Sequence, residues 1–453
     1  MDKKDFDALI AGLLPTDSPL FQDLESKQLA VANEQDLAIH LAAVKLRSRK
    51  AFLKEFTSLH MVVLTRACDC RCNYCQASSL APESRGHHMS KSTAARVVET
   101  ILQTPAPAIK IEFQGGEPTL NRGTLEYFVK LTKKLNRKSP GKQIEFIVCS
   151  NLAHLDNRLL SFFKRHNITI STSLDGPGEL HDANRICRDG DSSYRRFQEN
   201  LTRARRILGH DSCSPLPTIT RANLNHLKEV VDEYVRSGFS GIFLRPVNPY
   251  GFARDQWQTL SFPIEDFIAA YKETLDYIIR LNLSGVNFVE YYAQLLMTRI
   301  LTPFSTGFVD LQSPAGAGIS GVIYDVNGDV YPTDEARMLA AAGDRTFLMG
   351  NVHHTAYEDI FDNKLTRRLV ESSILDCLPG CDTCVYNPYC GADPVRYYQE
   401  CGDIEGVRPT SDFCKKNKAL FDHLFSLIIE NSPDIMNVFW SWITGLNPEE
   451  VSL

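Results

Sequence analysis

No apolar run in this sequence approaches the ~18 residues that a membrane-spanning helix needs, which argues against a helical membrane protein. The opening stretch, MDKKDFDALIAGLLPTDS, has neither the long apolar core nor the small-residue cleavage site of a signal peptide, so a cytoplasmic protein is expected. An excess of basic charge is missing too. The 49 Lys and Arg against 55 Asp and Glu leave a net charge of −6 with mixed signs, which gives no electrostatic footprint for duplex nucleic acid. There is no low-complexity tract, and no repeat beyond a β/α rhythm. Apolar residues are not scarce: at 43 % of 453 positions they can build one large domain with an appendage, or two domains.

What stands out is cysteine, with 13 copies. In a reducing compartment disulfides are rare, so this number points to metal or catalysis. Four cysteines lie at 68–75 and six at 377–414, while Cys149, Cys187 and Cys213 stand alone and read as small buried hydrophobes. The 12 histidines never join the cysteine groups at zinc-finger spacing.

Residues 1–60 read as mostly helical and polar, and the basic run KLRSRKAFLK (45–54) as a solvated helix face. From 61 to 260, short β-branched or aromatic runs at 61–65, 108–114, 143–149, 168–174, 215–220 and 241–245 alternate with helix-period segments. Six such units predict a parallel α/β sheet, short of the eight of a closed barrel, with ligands at the carboxyl ends of the strands. Residues 261–376 read as bridging helices and a hairpin at 322–333 with Asn327-Gly328 as its tight turn. Residues 377–453 hold a cysteine-rich loop region and two terminal helices.

In TRACDCRCNYCQAS (Thr65–Ser78), Cys68, Cys72 and Cys75 have the spacing C-x3-C-x2-C. One reading is an all-cysteine zinc site that takes Cys70 as its fourth ligand, although four ligands within eight residues are cramped for a tetrahedron. The other is a [4Fe–4S] cluster held by three thiolates, leaving one iron open to a substrate. The motif resembles that of the radical S-adenosylmethionine (SAM) superfamily, with Tyr74 as the aromatic residue before the last cysteine. A second family mark, the Gly-Gly-Glu-Pro turn, is matched by Gly115, Gly116, Glu117 and Pro118 in IEFQGGEPTL. Its glycines would let the backbone approach a ligand's amino group. The strand ends IVCSN (Ser150, Asn151) and STSLDGP (Ser173, Asp175, Gly176) and the Arg185 of HDANR match positions that line the family's SAM pocket. The resemblance implies a partial (β/α)6 barrel, SAM bound on the open iron, and a 5′-deoxyadenosyl radical that takes a hydrogen atom from a substrate.

The C-terminal run gives Cys381-x2-Cys384-x5-Cys390, with Cys414 following 24 residues later. Taken alone it also fits a zinc knuckle. Beside such a barrel it resembles the SPASM extension, and these four match the ligands of that extension's second auxiliary [4Fe–4S] cluster. The positions for its first auxiliary cluster are Ala315, Thr333 and Pro394, which are not iron ligands, so one auxiliary cluster is expected. Cys377 and Cys401 are spare. Asp334 follows the lost hairpin cysteine, and relatives use the residue there as a base, so it is the candidate catalytic base.

Much of 55–425, including GFSGIFLRPVNPYGFA and GDVYPTDEARML, resembles the B-type radical SAM maturases of His-Xaa-Ser systems, which are similar to three-residue cyclophane-forming enzymes. The resemblance implies a ribosomally made precursor peptide as substrate, a crosslink from a Cβ to an aromatic ring, and an electron donor such as flavodoxin or ferredoxin. No winged-helix leader-binding domain fits before residue 61, so residues 1–60 or surface strands of the barrel are expected to read the leader. Two rivals stand beside this reading. One is formylglycine formation in sulfatases. The other is a non-catalytic Fe–S or zinc protein, which would leave Gly115–Glu117 and Ser173–Gly176 idle.

Overall fold

In the strand Ala108–Gly115 apolar residues alternate with polar ones, which sets them on opposite faces, because a strand turns every second side chain to the same face. Ile109, Ile111 and Phe113 are buried against the helix Arg122–Asn136, where Phe113 meets Phe128 edge-on at 5.1 Å. Glu112 and Gln114 point the other way, into the sheet's inner face. The computed structural model describes residues 1–451 apart from 28, 33–35, 85, 139 and 140.

The strands in chain order are β1 (Leu59–Thr65), β2 (Cys70–Cys72), β3 (Ala108–Gly115), β4 (Gln143–Cys149), β5 (Ile168–Ser173), β6 (Arg185–Cys187) and β7 (Cys213–Leu216). They continue with β8 (Thr218–Ile219), β9 (Gly241–Ile242), β10 (Arg245–Pro246), β11 (Val289–Glu290), β12 (Gly321–Tyr324), β13 (Asp329–Tyr331) and β14 (Gly350–Asn351). The main sheet has the order β14-β13-β12-β1-β3-β4-β5-β7, parallel from β12 to β7. Pro217, which has no N–H to give a ladder, separates β7 from β8. The expected sixth strand, 241–245, is split in two beyond that break: β9 pairs with β11 and β10 with β8. The fold is therefore the α/β partial barrel expected, with the C-terminal cysteine-rich extension following it.

Helices fill the connections where the sequence places them. Lys91–Leu102 is capped by Ser90 Oγ, which accepts from Thr93 N at 3.0 Å, and Asn157–His166 by Asp156, which accepts from Leu159 N at 2.7 Å. Such caps satisfy donors that the first turn leaves open. The hairpin departs from expectation in two ways. Its loop runs over Asp325–Gly328, with Gly328 at φ +88°, rather than as a two-residue turn. Its first strand, β12, also lies parallel to β1, so the hairpin extends the barrel sheet instead of standing apart.

By packing, the chain forms two compact units, Met1–Ala51 with Pro303–Ser305, and Phe52–Thr302 with Thr306–Leu453. The first holds the helices Lys3–Ile10, Pro19–Ser26 and Asp36–Arg49. No helix among the described residues is long and apolar enough to cross a membrane.

Candidate active site

The loop after β1 is fastened at several points before it presents its thiols. Cys68 N donates to Leu80 O at 2.8 Å, Arg188 Nε to Cys68 O at 2.9 Å, and Phe252 N to Cys75 O at 3.0 Å. The last contact accounts for the YGFA segment. Gly251 sits at φ +54°, and a Cβ there would lie 2.3 Å from Gln76 O, so only glycine lets this turn close over the cysteine loop.

Cys68, Cys72 and Cys75 line one cavity of about 330 Å³ at the carboxyl ends of the strands. Tyr74, Gly115, Gly116, Ser150, Asn151, Ser173 and Arg185 share its wall. Sequence reasoning missed Glu112, Gln114, Cys149, Thr172, Arg245 and Met338, which also line it. The signal was present in β3, where polar residues alternate with buried apolar ones. Cys149 is thus not an inert filler: its Sγ faces Glu112 Oε1 at 3.2 Å. Cys187 is not isolated either. The β2–β6 register sets it opposite Cys70, with the sulfurs 3.8 Å apart.

Two expected pocket residues do their work from behind the wall. Glu117, 1 % exposed, accepts from Ser150 Oγ at 2.9 Å and Asn151 N at 2.8 Å, and so fixes the end of β4. Burial raises its pKa. Asp175, fully buried, accepts from Tyr74 Oη at 2.6 Å and Thr218 N at 3.0 Å, while Arg185 Nη1 donates to Tyr74 Oη at 2.7 Å. Arg185 thereby faces the cavity from a charged and hydrogen-bonded support. The glycine pair also has a different reason from the one the sequence proposes. A Cβ on Gly115 would fall 2.1 Å from Thr65 O, and one on Gly116 2.2 Å from Ala67 O. Their absence of side chain lets β3 lie against the root of the cysteine loop.

The donor set fits an iron–sulfur cluster. Soft thiolates suit iron–sulfur or zinc, and a tetrahedral zinc with Zn–S bonds of about 2.3 Å would draw its sulfurs to about 3.8 Å. Among the described residues the one group of three or more ligand atoms lying within 4.8 Å of one another is Cys68, Asp69 and Cys70, a mixed set that lacks Cys72 and Cys75. Asn151 Nδ2 holds both Asp69 Oδ1 at 2.7 Å and Cys70 Sγ at 3.3 Å. Cys70 stays off the cavity wall while Cys68, Cys72 and Cys75 form it. Burial pushes the Cys72 thiol up to about 12, so a bound cation is what would hold it as thiolate.

Cys381, Cys384, Cys390 and Cys414 converge within the same unit, each within electrostatic reach of another. Leu375, Leu378 and Ala392 pack against Cys381 and Cys390. Asn387 Nδ2 donates to Cys381 O at 2.8 Å, and Ser411 Oγ caps the helix that carries Cys414. Burial pushes Cys390 up to about 12. Cys377 and Cys401 are exposed, and Cys401 Sγ points to Tyr397 O at 3.2 Å. The residues in place of further cysteines have structural roles. Ala315 N donates to Ser373 Oγ at 2.9 Å, Thr333 caps the helix Asp334–Ala341, and Pro394 starts the helix Pro394–Cys401. Asp334 opens its helix and is not among the residues that line the cavity, whereas Met338, one turn on, is.

Residues 62–234 match the family model described as "Radical SAM superfamily". The chain is 22% identical over 390 residues to the cysteine-type anaerobic sulfatase-maturating enzyme of Clostridium perfringens (strain 13 / Type A), covering 83% of this chain and 99% of that one. The solved structure of native anSMEcpe with bound AdoMet superposes with a TM-score of 0.66 at 19% identity, over 84% of this chain and 99% of the other. Streptococcus suis SuiB bound to precursor peptide SuiA superposes with a TM-score of 0.56 at 13% identity, over 89% and 87%.

Proposed function

Because this chain is a radical SAM enzyme with peptide maturases among its relatives, we propose that it modifies a ribosomally made precursor peptide by forming an intrapeptide crosslink, from a side-chain Cβ to an aromatic ring. Cys68, Cys72 and Cys75 would hold the [4Fe–4S] cluster that binds SAM, and Cys381, Cys384, Cys390 and Cys414 one auxiliary cluster. When bound, the first supplies a hydrogen-abstracting 5′-deoxyadenosyl radical and the second a one-electron acceptor. The chain's own groups do the rest. Ser150 and Asn151, fixed by Glu117, and Arg185, held through Tyr74 and Asp175, offer donors to a zwitterionic ligand. The wall around the thiols would hold the target carbon near the radical. Asp334 takes the proton that the ring sheds as it regains aromaticity. A flavodoxin or ferredoxin is the proposed source of the starting electron.

The observation that carries this reading is the convergence of Cys68, Cys72 and Cys75 with polar strand-end groups on one cavity. Formylglycine formation is the second reading, favoured by the end-to-end likeness to a sulfatase-maturating enzyme. The test is incubation of reduced, cluster-loaded protein with SAM and the short peptide encoded beside its gene, followed by mass spectrometry. A crosslink removes two hydrogens and suppresses fragmentation inside the bridged segment. A formylglycine is instead trapped by a hydrazide as an aldehyde. Unchanged peptide mass rejects both readings.

A further inference from the structure

Two arginines line the cavity of the three thiols, Arg185 and Arg245. The first is held through Tyr74 and Asp175 and has its place in the reading above. The second has no assigned task, although the segment that carries it is built as firmly. Leu244 N donates to Glu290 Oε1 at 3.0 Å, and that fully buried carboxylate also accepts from Ala293 N at 2.6 Å. One residue on, β10 pairs Arg245 with Thr218, another residue of the cavity wall. Thr218 N donates to Asp175 Oδ1 at 3.0 Å. The backbone of Arg245 is therefore anchored on both sides, and one anchor is the carboxylate that supports Arg185 through Tyr74.

The head of the side chain is held less firmly. Nη2 reaches Glu335 Oε1 at 3.4 Å, longer than the roughly 2.7–2.9 Å of a good charge-assisted pair. Glu335 lines a second, smaller cavity that Arg245 also borders, and it does not line the thiol cavity. The Arg245 side chain remains 38 % exposed, and its Nε and Nη1 have no hydrogen-bond partner among the described residues. An arginine offers five N–H donors in a rigid fork and stays charged at any working pH, so the unused edge suits an oxygen anion. The wall's own carboxylate, Glu112, is engaged elsewhere. It accepts from Gln114 Nε2 at 2.6 Å and faces Cys149 Sγ at 3.2 Å.

SAM carries one carboxylate, for which Arg185 is the proposed partner. A second fork on the same wall asks for a second anionic group, and in a peptide-modifying enzyme the peptide is what brings one. We propose that Arg245 binds a carboxylate of the precursor peptide, on an acidic side chain or at the C-terminus, and so selects which residue is presented to the radical. The inference rests on the peptide-modifying reading.

Binding to the full, cluster-loaded chain tests this apart from turnover, with the short peptide encoded beside its gene as the probe. Arg245→Gln should raise the peptide's Kd about tenfold, the scale of one hydrogen bond to a charged group. Arg245→Lys, which keeps the charge but not the fork, should raise it about threefold. SAM affinity, read from the cluster's spectroscopic response, should not follow. Two altered peptides say which carboxylate is bound, one with its acidic side chains changed to amides and one with its C-terminus amidated. One of them should lose the same factor on the wild type and nothing further on Arg245→Gln, because a shared contact is lost only once. If Arg245 serves only as the partner of Glu335, Glu335→Gln should weaken peptide binding equally, and that result overturns the proposal. A peptide Kd unchanged in Arg245→Gln, additive losses, a fall in SAM affinity in place of peptide affinity, or a wild type that does not bind the peptide overturns it too. If the wild type binds the peptide but leaves its mass unaltered, the functional reading fails, and the Kd values still judge Arg245.

Discussion

At the N-terminal site three thiols share a wall with Ser150, Asn151, Ser173 and Arg185 around about 330 Å³ of space. At the C-terminal site four thiols lie within electrostatic reach of one another, and Leu375, Leu378 and Ala392 pack against two of them, Cys381 and Cys390. The difference is one of coordination. Three protein ligands leave a position for a substrate, and four close it. The polar groups follow the same division. At the barrel mouth, side chains with hydrogen-bond capacity face inward, while around Cys381 and Cys390 apolar contacts and backbone carbonyls dominate. On the proposed reading, the first site exchanges its ligand, and the second holds what it has and passes electrons.

The largest effect that would sharpen the contrast is between single cysteine variants. Cys72→Ala should abolish 5′-deoxyadenosine formation from SAM. Cys390→Ala should still form it while losing modified peptide, so that product per 5′-deoxyadenosine collapses. Iron analysis divides the sites independently. Reconstituted wild type should carry about 8 Fe per chain from two clusters, and each variant about 4. A wild-type value near 12 would mean a third cluster and would break the assignment of Ala315, Thr333 and Pro394 as lost ligand positions. Next in size is Asp334→Asn, which should lower crosslinking by about a hundredfold or more while SAM binding, followed by the cluster's spectroscopic response, stays normal. Full coupling in that variant would leave the barrel mouth with no assigned base.

How much of this was legible in the sequence differs between the two sites. Both cysteine sets and the parallel barrel could be read from spacing and apolar rhythm, since ligands and strands are local in the chain, whereas the strand-end residues stand out only by family resemblance. What could not be read depends on register. Cys187 becomes the neighbour of Cys70 only through the pairing of β2 with β6. Glu112 and Gln114 become cavity residues only because Phe113 turns to the helix side. Gly115 and Gly116 look like a ligand cradle in sequence, yet it is the carbonyls of Thr65 and Ala67 that forbid a side chain there.

A smaller effect separates binding from scaffold at the barrel mouth. Tyr74→Phe removes the hydroxyl that joins Asp175 to Arg185, leaving two buried charged groups short of a partner at a cost of about 1–3 kcal/mol. SAM affinity should drop about tenfold, the equivalent of about 1.4 kcal/mol, with Arg185 no longer held. The C-terminal site should be untouched, so the iron bound by a Cys72→Ala/Tyr74→Phe double variant should equal that of Cys72→Ala. A further loss of iron in the double variant would show that the two sites are mechanically coupled.

Acid should expose the same division at its weakest. The barrel holds two buried histidines, His60 beside Tyr324 Oη at 3.2 Å, and His181, whose Nδ1 accepts from Asp175 N at 3.3 Å. Burial lowers each to about 3. Segment 377–414 contains no histidine. A group whose folded pKa lies below its unfolded value of about 6.5 contributes stability that is present above pH 6.5 and lost as pH falls toward 3, because the unfolded chain then binds more protons. At pH 5.5 each histidine should cost about 1.4 kcal/mol relative to pH 8. Hydrogen exchange on the full chain should therefore show β1 and the segment around Asp175 losing protection between pH 7 and 5.5 before the helix Pro394–Cys401, which has no histidine, does. Equal loss in both regions would mean that the chain opens as one cooperative unit in which the barrel's histidines weaken the C-terminal site as much as their own.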